Sequence, residues 1–229
     1  MSEFNGFPKD LFAFLKDLIK NNNREWFNAN KPRYLESVVE PMGDYIRSVA
    51  PLLQRISPHY RADPKPHGGS MFRIYRDTRF SKDKTPYKTH AACHFRHLAG
   101  SDAHAPGFYM HLEPGQVMFG GGIWRPSSKH LGLIREFIAD NPSAWGKLSN
   151  STAVRKFGGI KGEQLKRPPR GFDPDSAHIE DLKRKSFFLM ADADDELALS
   201  PDLVTESARV FRVAGKLNRF ICDALELPF

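Results

Sequence analysis

The chain has 229 residues, of which 40% are hydrophobic and 27% charged, a composition typical of a globular protein and not of a disordered or fibrous one. Its net charge of +7 favours anionic partners such as phosphorylated metabolites, nucleic acid or acidic proteins. Two cysteines without CxxC spacing, and no apolar stretch near the ~20 residues of a membrane span, argue against a disulfide scaffold and a membrane protein. We expect a cytoplasmic protein without a secretory leader.

The first part of the chain is predicted to be helical. Apolar residues recur at helical spacing along "FPKDLFAFLKDLIKNNN", and three Asn residues are expected to end this helix. A short helix is expected at "REWFNAN". In the amphipathic stretch "KPRYLESVVEPMGDYIRSVAPLLQRI", Pro41 and Pro51 are expected to kink or divide the helix.

The middle of the chain is predicted to form strands after the loop "SPHYRADPKPHGGS". Four segments have strand character: 71–76, 90–97, 107–113 and 116–121. A tight turn at Pro114-Gly115 would pair Glu113 with Gln116 and Tyr109 with Gly120. These segments predict an antiparallel meander.

The last part returns to helical patterns after Pro126, with a further strand candidate at "FFLMAD". The final segment, "SPDLVTESARVFRVAGKLNRFICDAL", has the pattern of a long amphipathic helix. Helices, then strands, then helices predict one α+β domain over residues 1–229, in which the meander packs against the N-terminal and C-terminal helices.

The two faces of the predicted sheet differ in chemistry, because side chains alternate along a strand. One face is apolar and predicts the core: Phe108, Met110, Leu112, Val117 and Phe119. The other face carries planar side chains with hydrogen-bonding groups: Arg73, Tyr75, His90, His94, Arg96, Tyr109 and His111. Such residues are typical of binding surfaces. The alternative is an ordinary solvated sheet face.

The segment "FRIYRDTRFSKDKTPYKTH", residues 72–90, holds six Lys or Arg residues against two Asp. Arginine grips phosphate or carboxylate with two donors, and lysine adds steering charge. The predicted anion-binding residues are Arg73, Tyr75, Arg76, Arg79, Lys82, Lys84, Tyr87 and Lys88, with Tyr109 beside them. Asp77 and Asp83 would orient the arginines. The alternative is an exposed hairpin in which these two carboxylates pair the cations internally.

A glycine run follows in "FGGGIWRPSS", where Gly120, Gly121 and Gly122 precede a predicted helix. Exposed amides at such a position can cradle an anion. Alternatively, the glycines permit a bulge or close packing of Trp124. We expect the basic segment and these glycines to converge on one anion-binding hollow.

No metal or cofactor is predicted. Along a strand, His90 and His94 would lie ~13 Å apart, too far to share an ion, and His97 would point to the other face. Ser81 lacks the surroundings of a nucleophile elbow. His90 and His111 are candidates for proton transfer if the protein is an enzyme.

Four segments together resemble the domain of unknown function 2461 family, which is largely bacterial with fungal relatives: "NNNREWFNANKPRY", "FRIYRDTRFSKDKTPYKTH", "FGGGIWRP" and "LKRPPRGFDPDSAHIEDLKRKSF". The resemblance covers roughly residues 4–225. It implies one cytoplasmic domain, but it assigns no catalytic residue, so the functional hypotheses rest on residue chemistry.

Three functions are compatible with this chemistry. The first is a basic pocket for a small phosphorylated or carboxylated ligand, with or without catalysis. The second is a nucleic-acid-binding protein that uses the Tyr and Arg side chains of the sheet face. The third is an interaction module for an acidic protein partner. No membrane partner is predicted, and the sequence sets neither the ligand nor the oligomeric state.

Overall fold

The helices and strands follow the predicted order in a computed structural model that describes residues 4–100 and 105–229. The helices are α1 (Asp10–Lys20), α2 (Arg24–Ala29), α3 (Lys31–Tyr34), α4 (Glu40–Ile56), α5 (Ser128–Asp140), α6 (Pro142–Ser149), α7 (Thr152–Lys156), α8 (Ile179–Leu182), α9 (Asp195–Ala198) and α10 (Asp202–Ala224). The strands are β1 (Tyr60–Arg61), β2 (Ala91–His97), β3 (Gly107–Glu113), β4 (Gln116–Ile123) and β5 (Phe187–Ala193).

The strands form one antiparallel sheet in the order β1-β2-β3-β4-β5. The turn between β3 and β4 pairs Glu113 with Gln116 and Tyr109 with Gly120, which confirms the predicted register. The segment "FFLMAD" adds β5 beside β4. The α+β meander with flanking helices is therefore confirmed.

The predicted strand at 71–76 is wrong. The short β1 occupies the edge of β2 beside His97, and Met71 returns to that edge for a single bridge to Cys93. The chain then leaves the sheet, because residues 74–76 pair with residues 86–88 instead. The two paired segments and the connecting residues 77–85 form a hairpin outside the sheet, which we call the basic hairpin (residues 74–88).

The helical stretch from Lys31 to Ile56 is continuous through Pro41 and Pro51. Its turn at Leu35–Val39 is π-helical and ends two residues before Pro41, which has no N–H to continue the α-helical pattern. Pro51 lies within α4 without ending it. Of the two expected effects, a kink or a division, the division does not occur, while a local change in winding lies close to Pro41.

The core lies between one face of the sheet and helices α4 and α10. The predicted apolar face is confirmed, since its members are buried: Phe108, Met110, Leu112, Val117 and Phe119. Tyr45 of α4 donates a buried hydrogen bond to Ser207 of α10 at 2.8 Å, which joins the two helices. Buried residues from the sheet and the helices form one cluster. The assignment of residues 1–229 to one domain stays a prediction.

Helix α10 has 23 residues, and buried side chains recur along the whole of its length. Charged residues such as Arg212, Lys216 and Arg219 interrupt its apolar positions, as in an amphipathic surface helix. Across residues 4–100 and 105–229, the length and apolar character needed to cross a bilayer are not combined in any helix.

Candidate functional site

The base of the basic hairpin is fixed to the turn between α1 and α2. The side-chain amide of Asn22 donates to the Tyr87 carbonyl at 2.9 Å, and the Tyr87 N–H donates to the Asn22 Oδ1 at 3.0 Å. The Tyr87 ring stacks on Phe27 with ring centroids 4.1 Å apart. A polar clasp and a ring stack therefore hold the hairpin in one position.

A cleft of about 320 Å³ opens between α2 and the basic hairpin. This volume lies in the range of small-molecule sites, about 300–1,000 Å³. The cleft is lined by Arg24, Asn28, Tyr75, Arg76, Thr78, Pro86 and Tyr87. Three of the predicted site residues, Tyr75, Arg76 and Tyr87, thus lie together, and α2 adds residues that the sequence analysis missed.

Two arginines of the cleft retain donors for a ligand. Nη1 of Arg76 is 2.5 Å from the Asp83 carboxylate and also donates to Thr85, whereas its Nε and Nη2 have no acceptor among the described residues. Arg24 makes no ion pair with any residue in the described ranges. Hydrogen bonds from the Thr85 N–H and from Arg76 lower the pKa of Asp83 to about 2, so this carboxylate stays charged and can orient Arg76.

The other predicted cations of this segment lie outside the cleft: Arg73, Arg79, Lys82, Lys84 and Lys88. Arg79 makes a two-pronged ion pair with Asp77, at 2.8 and 3.0 Å, and this pairing lowers the pKa of Asp77. Lys84 and Lys88 each donate to a main-chain carbonyl of the same segment at 2.9 Å. The alternative interpretation, in which the two carboxylates pair the cations internally, therefore describes Arg79. Arg76 is also paired with Asp83, but it keeps donors that have no acceptor among the described residues.

The glycine run does not meet the basic hairpin. Gly120 pairs with Tyr109 on β3 and Met190 on β5, so its main chain takes part in the sheet on both sides. Strands β2 and β3 lie between β4 and the edge where the hairpin begins, a distance of more than ~10 Å. A side chain at Gly121 would contact Phe108 and Ala214, so this glycine permits α10 to pack closely on the sheet.

The second face of the sheet is partly covered. The Phe72 ring lies parallel to the His94 ring, with centroids 6.3 Å apart, and meets the edge of Tyr109 at 6.1 Å. Burial lowers the pKa of His94 to about 4 and raises the pKa of Tyr109 to about 12. Since Arg73 and Tyr75 belong to no strand, the expected continuous face of Arg and Tyr side chains is not formed.

Three side chains of this face lie close together at the start of β2, and we call them the His–Glu cluster (His90, His111 and Glu113). The two imidazole rings are 4.5 Å apart, and Nε2 of His111 lies 3.2 Å from Oε2 of Glu113. Burial, and then the neighbouring His111, lower the pKa of His90 to about 4. Glu113 was not among the predicted site residues, although its place two residues after His111 puts both on one face of β3.

A comparison with protein families assigns most of the chain to one family. The model of the family described as Conserved hypothetical protein (DUF2461) matches residues 10–220. The chain belongs to this family. No curated protein and no solved structure matches the chain. The matched range includes the cleft and the His–Glu cluster, so both features lie inside the DUF2461 region.

The cleft and the His–Glu cluster of this DUF2461 protein differ in what they can bind. The cleft presents guanidinium donors and aromatic walls, which suit an anion. The cluster presents imidazole nitrogens and a carboxylate oxygen, which suit a cation or a proton. A void of about 10 Å³ near His90 has room for no more than about one water molecule. The cleft is therefore the candidate site for an organic ligand.

Proposed function

We infer that the cleft between α2 and the basic hairpin binds a small phosphorylated or carboxylated ligand. The observation that carries this proposal is that Arg24 and Arg76 line one cleft of about 320 Å³ while keeping donors without a protein acceptor among the described residues. Tyr75 and Tyr87 supply aromatic walls for the uncharged part of the ligand. The planar, two-pronged guanidinium matches carboxylate and phosphate oxygens.

The cleft is also preorganised, which lowers the entropy lost on binding. Asn22 and Phe27 fix Tyr87, and Asp83 holds Arg76 at the rim. The hairpin segment from Arg73 to Lys88 carries six cations against two carboxylates, so it attracts anions toward the cleft. A cytoplasmic location, where phosphorylated metabolites occur, is supported by two free cysteines that are both buried.

Inorganic pyrophosphate, inorganic phosphate and succinate are suitable probes of this proposal in a thermal-shift titration. Arg24→Gln and Arg76→Gln each remove one guanidinium of the cleft. Arg79→Gln is the matched control, because it removes the same charge from the same segment outside the cleft.

We expect pyrophosphate to stabilise the protein, and each cleft variant to weaken its binding about 10-fold to 100-fold, the loss typical of one charge-assisted hydrogen bond. The control is expected to bind within about 2-fold of the wild type, since the Arg79 guanidinium is paired with Asp77 and does not line the cleft. Equal weakening by all three substitutions, or no stabilisation by any probe, would contradict the proposal.

Nucleic-acid binding is a second candidate, favoured by the exposure of aromatic side chains in the basic hairpin. Tyr75 is 47% exposed and Phe80 is 96% exposed, so both are accessible to bases. For this function, Phe80→Ala and Arg79→Gln should weaken binding of a single-stranded oligonucleotide, with affinity falling as salt increases. The third hypothesis, an acidic protein partner, stays a prediction.

A further inference from the structure

The His–Glu cluster has a chemistry that the proposed anion-binding function does not use. We propose that His90, His111 and Glu113 bind a divalent transition-metal ion of the zinc class. None of these three residues lines the cleft, so either proposal can fail without the other.

The sheet register brings the three residues together. Ala91 pairs with Leu112, so continuing the register by one residue places His90 opposite Glu113. His111 precedes Glu113 by two residues and therefore shares its face of β3. Opposite and diagonal positions of an antiparallel pair are close enough for long side chains to meet.

The distances permit a common ion. One nitrogen from each histidine and one carboxylate oxygen all lie within 4.8 Å of one another. Around a tetrahedral zinc ion with bonds of ~2.0–2.1 Å, ligand atoms lie ~3.4 Å apart. Small rotations of the three side chains close the difference.

Neighbouring hydroxyl groups hold two of the ligands in place. Tyr109 Oη lies 3.1 Å from Nδ1 of His111, and Thr89 Oγ1 donates to Oε1 of Glu113 at 3.1 Å. These contacts leave Nε2 of His111 and Oε2 of Glu113 directed toward each other, as the ligating atoms. Such outer partners fix the orientation of metal ligands in known sites. Within the described residues, neither ring nitrogen of His90 has a hydrogen-bond partner.

The donor set selects the class of metal. Two imidazoles and one carboxylate occur in catalytic zinc sites and in the non-haem iron facial triad, and both leave coordination positions open. Calcium and magnesium prefer ligand sets made of oxygen alone. His111 is buried, while His90 and Glu113 are partly exposed, which gives an ion a path from solvent.

A zinc titration of the full chain after chelator treatment, followed by competition with a chromophoric chelator, tests this site. His90→Gln, His111→Gln and Glu113→Gln each remove one ligand, and Tyr109→Phe removes the hydroxyl that holds His111. His94→Gln is the matched control, since it removes a histidine from the same face of β2 at a distance of ~13 Å along the strand.

We expect one equivalent of Zn²⁺ to bind the wild type. Removing a ligand should weaken binding at least about 100-fold, and removing the Tyr109 hydroxyl about 10-fold, as for outer partners elsewhere. His94→Gln should change affinity by less than about 2-fold. No binding by the wild type, or a ligand variant that keeps wild-type affinity, overturns the proposal.

A second measurement needs no variant and covers the case in which a substitution prevents folding. Nitrogen-15 NMR of the histidine rings in the wild type should show that Zn²⁺ shifts the ring nitrogens of His90 and His111 while those of His94 stay unchanged. Zinc-induced shifts confined to other histidines would overturn the assignment.

Discussion

At the scale of single residues, three consecutive asparagines do three different things. Asn21 donates to the Asp17 carbonyl at the end of α1, Asn22 clasps Tyr87, and Asn23 accepts from the Trp26 N–H as the N-cap of α2. All three roles use the short side-chain amide, which reaches main-chain groups nearby. The first agrees with the expected end of the first helix at the asparagines, whereas the second depends on a partner 65 residues away.

Gly121 provides a prediction at this scale, because an added Cβ would lie 2.9 Å from the Gly107 carbonyl oxygen and 3.2 Å from Cβ of Ala214. We expect Gly121→Ala to lower the free energy of unfolding by about 1–3 kcal/mol, the usual cost of overpacking. Gly132→Ala is the control, since no atom lies within 4 Å of its added Cβ in α5. It should raise stability by roughly 0.5–1 kcal/mol through helix propensity. Urea denaturation of both variants measures the difference, and equal changes would contradict the packing role.

At the scale of elements, the basic hairpin lies outside the sheet, and its position depends on contacts at its base. The Tyr75–Tyr87 bridge and the main-chain hydrogen bonds beside it close the hairpin, and Asn22 attaches it to the helices. The connection at 77–85 makes mostly local, exposed contacts, such as the Arg79–Asp77 ion pair. Surface pairs of this kind contribute little stability, so the position of the cleft depends on the base of the hairpin.

Asn22→Ala tests this dependence. The substitution removes both hydrogen bonds to the main chain of Tyr87, and we expect faster amide exchange across residues 74–88 together with a loss of about 1–3 kcal/mol of local stability. Hydrogen exchange with mass spectrometry measures the effect. Asn23→Ala is the control, because it removes the cap of α2 and leaves the clasp intact. Unchanged protection of the hairpin in Asn22→Ala would show that the clasp does not hold it.

At the scale of the whole molecule, one core supports two proposed sites that differ in chemistry. Helix α10 packs on one face of the sheet and α4 packs on α10, while Phe72 covers part of the other face. The Phe72 ring lies parallel to His94, and burial, followed by the charge of Arg96, lowers the pKa of His94 and so favours the neutral imidazole. Folding is thereby linked to pH.

Between pH about 4, the pKa of buried His94, and 6.5, its ordinary value, the unfolded chain binds a proton that the folded protein does not. Stability therefore rises with pH across this window and falls on acidification, by roughly 2 kcal/mol for this residue. We expect His94→Gln to make the change in unfolding free energy between pH 7 and 4.5 smaller, as measured by urea denaturation with a chelator present. Some change should remain, because the pKa of His90 is also lowered to about 4. An identical pH dependence in wild type and variant would show that His94 is not the group responsible.

Features that depend only on neighbouring residues were predictable from the sequence. Alternation along strands placed Phe108 and Val117 in the core, the turn at Pro114-Gly115 set the register of β3 and β4, and helical periodicity located α1 and α10. Each of these follows from local periodicity and turn geometry, which a single segment carries within itself.

The tertiary structure alone decided which segments meet. Nothing in "MFRIYR" shows that it turns away from the sheet, because its strand pattern is equally satisfied by pairing with residues 86–88. The approach of Arg24 to Arg76, and of His90 to His111, joins positions that are far apart in sequence. Such contacts depend on how helices and strands pack around a common core, and chain spacing carries no information about that packing.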